Sequence, residues 1–286
     1  MKKLLLILAV AALCPSATFA TTRNVPASYS TIQAGINAAV SGDTVAIAAG
    51  DYTEAVVVPS SKTNLTIIGA GKTSTRIHVG ANSDAMQVLG SNILVKNLTL
   101  ENTAGQDGAQ QQALYTQGTK LSFNNCLIKA WQDTLQMKQG SQQYFFNCEI
   151  QGSVDYIYDG GTAFFENCKT VQRRVNPTGA VDCAPAAPAG VRGIIFWNCS
   201  ITGVAGLSSS SSYLARVWKA PGEVAYINCS IGSHIKAVGY LSWNEGTTSR
   251  VAEFPCPSTR ASWCKRLTST AGYTKTDILG SWVPRL

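Results

Sequence analysis

The sequence predicts an all-β, single-domain, right-handed parallel β-helix with a short N-terminal capping helix. Three observations point there. Five Asn-Cys pairs end at Cys126, Cys148, Cys168, Cys199 and Cys229, spaced by 22, 20, 31 and 30 residues, each behind a short aromatic or β-branched run. A period of that size is the mark of a solenoid. Between the pairs lie strand-length segments bounded by Gly, Ser and Asn, with no helical periodicity, which fits about seven or eight coils.

In chain order, the first element is an export signal over residues 1–20. Lys2 and Lys3 form a basic start, Leu4 to Leu13 a short apolar run, and Thr18-Phe19-Ala20 a small-residue cleavage site. That run is too short to span a bilayer, and nothing later approaches the roughly 20 apolar residues a membrane helix needs. The mature domain is therefore expected over residues 21–286, secreted and extracellular. Without Lys2 and Lys3 the formal charge of +7 becomes +5, in a chain with only 14% charged residues. A mild positive field suits an acidic polymer, and it serves solubility equally well.

Ser30 followed by Thr31 to Val40 reads as an N-capped amphipathic helix closing the first coil. Segments 64–68 and 92–100 continue the strand pattern without cysteine. Thr66 to Thr73 resembles a phosphate-binding loop, but Thr66 stands where glycine is required and strand-like residues follow, so a turn between coils is the better reading. Insertions over 173–190 and 202–213 leave room for loops that wall a cleft. The cysteines lack zinc spacing and read as an interior ladder. Cys148 and Cys168, one coil apart, are expected to be close enough for a disulfide, with Cys126 a competitor; Cys256 and Cys264 would close a small C-terminal loop.

Asp133 lies seven residues after Cys126, and Asp155 seven after Cys148, so the two share one phase on consecutive coils. Neighbouring carboxylates cannot both ionise easily, which divides them into an acid and a base. A calcium site or chance would give the same spacing. Gln110 and Gln132, 22 residues apart, add amides beside the acids, a pattern suited to stabilising an oxyanion. Only two histidines are present, His78 and His234, and there is no G-x-S-x-G elbow, so serine-histidine chemistry has little support.

Five ordered segments resemble the signatures of pectin methylesterases: Gly50 to Glu54, Gln110 to Leu114, Gln132-Asp133-Thr134-Leu135, Gly152 to Tyr158, and Leu214-Ala215-Arg216-Val217-Trp218. Ala252-Glu253-Phe254 and the stretch from Trp263 to Pro284 also fit. The resemblance implies Asp155 as nucleophile, Asp133 as general acid then base, Gln110 and Gln132 as oxyanion stabilisers, and Arg216 as the partner holding Asp155 ionised. It implies Tyr156 and Trp218 as aromatic faces for sugar rings, with Gln110 and Arg216 also touching substrate. The expected partner is methylated homogalacturonan in pectin, acted on by a monomer without cofactor, metal, nucleic acid or membrane. The chain departs from the family pattern at Ala215 and Val217, at Tyr156, Tyr158 and Asp159 (Phe, Phe and Gly in the family), and at Tyr240 in place of Trp.

Overall fold

A computed structural model describes residues 20–106, 110, 112–175, 180–244 and 249–286; the export segment lies outside them except for Ala20. The chain winds as a right-handed parallel β-helix. Its strands form three sheets of 11, 7 and 8 strands, with neighbours from successive coils. Parallel pairing needs a crossover, and here each crossover is the rest of the coil.

The register follows from what sits inside. Phe123 pairs with Phe145, Phe145 with Phe165, Phe165 with Phe196, and Phe196 with Tyr226. Their rings stack at centroid separations of 4.7, 4.4, 4.8 and 4.8 Å, the spacing of the strands themselves. A one-residue slip would turn the whole column outward, so the column fixes the register. Phe145 touches rings on both sides and is completely buried. Phe145→Ala is expected to cost about 3–5 kcal/mol by opening a cavity that its two rigid neighbours cannot fill, measurable by denaturant titration.

The turns use asparagine for its backbone tolerance. Asn64, Asn92, Asn97, Asn125, Asn147, Asn167, Asn198 and Asn228 all have φ between 52° and 58°, the left-handed region that asparagine enters more readily than most residues. Side-chain amides link some of these turns along the stack, Asn92 to Asn64 at 3.1 Å and Asn125 to Asn97 at 2.9 Å. The thiol of each following cysteine points inward and meets a carbonyl of the preceding coil, Cys148 to Phe123 and Cys168 to Phe145 at 3.4 Å each.

The expected disulfides are absent: all eight described cysteines are free thiols. In the ladder each Sγ meets main-chain oxygens of its own and the preceding coil, and neighbouring thiols interact along the stack without a covalent bond. Cys256 and Cys264 do come within 4.8 Å of each other, beside Glu253, and remain thiols. Glu253 is committed elsewhere, to Arg260 at 2.8 and 3.0 Å and to Tyr240 Oη at 3.0 Å.

The N-terminal end is closed by a helix. The N-terminal helix spans Ile32–Ala38 with Thr31, not Ser30, as its cap, because the Thr31 hydroxyl accepts from Ala34 N. Glu54 accepts from Ile32 N and Gln33 N at 2.9 and 2.7 Å, satisfying two orphan donors. A second helix, Lys275–Leu279, lays Ile278 and Leu279 on the outer face of the 11-stranded sheet, against a column containing Tyr144, Phe164 and Ile195. The phosphate-loop lookalike is the strand Thr66–Gly69 and a turn into Thr75–Val79, with no helix. No described helix is long and apolar enough to cross a membrane.

Candidate active site

The outward face of the seven-stranded sheet carries a cavity of about 420 Å³ lined by Gln110, Gln132, Asp133, Asp155, Arg216 and Trp218, together with Gln136, Tyr158, Ala184, Trp243 and Asn244. Every expected site residue except Tyr156 is there. Neither histidine is: His78 bonds Thr53 at 3.0 Å on another sheet, and His234 is buried beside Gly232.

The two aspartates occupy equivalent places on successive coils. Leu135 pairs with Ile157, and Asp133 N donates to Val154 O at 3.1 Å. Both adopt left-handed backbone, with φ of 61° for Asp133 and 48° for Asp155. Such residues cost about 1–3 kcal/mol each and persist where the surroundings enforce them. At Asp155 the departure coincides with a register shift between Val154 and Ile157. Strict alternation is broken there, which sends the carboxylate outward and Tyr156 inward.

Tyr156 is therefore not a sugar platform. It is completely buried and packs directly over Gly152, where a Cβ would collide with the tyrosine ring. Tyr158, largely buried itself, is the tyrosine that lines the cavity, edge-on to Trp218 at 5.8 Å. Gln110 and Gln132 do reach the same cavity. The strands that follow them pair Leu114 with Leu135, an offset of 21, so these two glutamines stand one residue out of strict phase.

Arg216 grips Asp155 with both nitrogens of one edge, Nε to Oδ1 at 3.0 Å and a terminal nitrogen to Oδ2. The indole of Trp243 covers the guanidinium at 4.3 Å. Burial still outweighs this pairing, so Asp155 sits above the ordinary carboxylate range rather than below it. Asp133 has no such partner. Burial first, then the charge of Asp155, push its pKa to about 7, against a smaller opposing pull from Arg216. One acid is paired with a cation and the other is left to hold a proton.

A family profile for pectinesterases matches residues 20–254, and a pectinesterase of Petunia integrifolia is 32% identical over 266 residues, covering 84% of this chain and 70% of the relative. The chain belongs to the pectinesterase family. This pectinesterase-family chain is also 31% identical to a probable pectinesterase/pectinesterase inhibitor of Arabidopsis thaliana, of whose length the match covers 41%. Carrot pectin methylesterase superposes with a TM-score of 0.83 at 27% identity, covering 96% of this chain and 97% of the other. The pectin methylesterase of Erwinia chrysanthemi shares the fold, with a TM-score of 0.79 at 21% identity over 93% of this chain and 98% of that one.

Gln136, Tyr158 and Trp243 were not singled out as site residues by sequence. For the first two a signal existed: each lies three residues after one of the aspartates, and they pair across the sheet. Trp243 and Asn244 lie outside the strands, where no phase relation could place them.

Proposed function

We propose that the chain hydrolyses methyl esters of galacturonate in the homogalacturonan of pectin, releasing methanol. The observation that carries the proposal is the unequal pair of Asp133 and Asp155 in one cavity with two glutamines. Asp155 attacks the ester carbon, and the Gln110 and Gln132 amides stabilise the tetrahedral oxyanion. Asp133 gives its proton to departing methanol, leaving a mixed anhydride on Asp155. The same Asp133, now ionised, takes a proton from the water that resolves the anhydride. Trp218 and Tyr158 supply apolar faces for sugar rings, in the place first assigned to Tyr156. Residues 1–20 support export, so that the enzyme meets pectin outside the cell.

Methanol should be released from highly methylated pectin without shortening of the chain. Activity should survive exhaustive chelation, because two acids, two amides and one arginine supply the charges the ester reaction needs. Chain shortening, or a requirement for calcium, would favour a lyase or glycosidase reading; pectin binding without methanol would mean a non-catalytic binder.

A further inference from the structure

Two departures from the family pattern, Tyr158 and Asp159, each add a polar group that phenylalanine and glycine lack, and each group meets a glutamine. Asp159 Oδ2 accepts from Gln136 Nε2 at 2.8 Å, and Tyr158 Oη accepts from Gln112 Nε2 at 2.7 Å. The second bond joins segments 46 residues apart in sequence. One end lies on Val154–Asp159, the strand that carries Asp155. The other end is two residues from Gln110 in the chain.

We propose that Tyr158 is a positioning residue for Gln110, acting through Gln112. Gln110 is exposed and comes from outside the regular strands, so the sheet ladder does not fix its place. The nearest described anchors on this segment are two. Asn102 Nδ2 reaches Gln112 O at 3.3 Å and Ser83 O at 2.8 Å, tying the segment to the body of the helix. The Gln112 side chain then reaches the phenol of Tyr158, a cavity-lining residue. An oxyanion donor a fraction of an ångström out of place loses most of its effect, because donors must meet the oxygen as it forms. The phenol thus ties the amide to the strand that delivers the nucleophile. Its ring is already held by Trp218, so the anchor itself is fixed.

This inference rests on the proposed esterase mechanism with Gln110 as an oxyanion donor. Tyr158→Phe removes the hydroxyl and keeps the ring against Trp218. With methylated pectin as substrate, kcat is expected to fall about two- to tenfold, the range of one net hydrogen bond, with KM little changed and the thermal melt retained. Gln112→Ala should match it, and the two together should cost no more than either alone. In a Gln110→Ala background, Tyr158→Phe should have no further effect. Unchanged kcat, a loss confined to KM, or an undiminished loss in the Gln110→Ala background would overturn the assignment. Wild-type protein that released no methanol would instead overturn the esterase reading.

Discussion

Asp155→Asn is expected to abolish methanol release, lowering kcat by roughly ten-thousand-fold or more, the scale seen when a covalent nucleophile is removed. An amide of the same shape has no anionic oxygen to attack the ester, and no other carboxylate lining the cavity is paired with a cation. Arg216 would keep one oxygen to bond and face an NH2 group in place of the other. The guanidinium would then be partly buried with its charge unmatched, so a modest loss of stability should accompany the loss of activity. The two effects separate readily: circular dichroism melts report the first, and methanol assays at a temperature well below the melt report the second. Turnover near the wild-type rate would remove Asp155 from the mechanism.

The sequence showed much of this site because a β-helix turns phase into proximity. Asp133 and Asp155 could be paired from their equal distance to Cys126 and Cys148, and the structure gives both the same left-handed backbone. The asparagine and cysteine ladders were legible for the same reason. What failed was reasoning that needs side-chain direction. Tyr156 follows a positive-φ residue and a register shift, and the face it takes is set by Gly152 beneath it, neither of which alternation reveals. The disulfides failed for a related reason, since proximity along a stack is not a bond: the ladder thiols lie beside one another and stay free, each also held by main-chain oxygens. Trp243 shows a different limit: it reaches Arg216 from a loop, where spacing carries no information.

Asp133→Asn should leave the nucleophile in place and halt the reaction part-way. With no proton to give, methoxide is a poor leaving group, so acylation becomes slow. With no base to activate water, any anhydride that forms is not resolved. Substrate should therefore be found covalently attached to Asp155 by rapid-quench mass spectrometry with methylated oligogalacturonate, and an adduct on any other residue would defeat the assignment. The same substitution carries a stability prediction of definite sign. The Asp133 pKa rises from 3.8 to about 7 on folding, so between those values the folded protein holds a proton that the unfolded chain has released. Stability from this group is fully present below about pH 4 and drains away as pH rises through 7. Asparagine cannot ionise and avoids that loss. At pH 8 the variant should be more stable than the wild type by about 1–4 kcal/mol, an upper range set by roughly three pKa units, and near pH 4 the difference should vanish. Wild-type kcat/KM should correspondingly decline above about pH 7 as Asp133 loses the proton it must donate. Equal melting curves for the two proteins at pH 8, together with a flat alkaline limb in the wild type, would mean that Asp133 is ionised throughout and is not the acid.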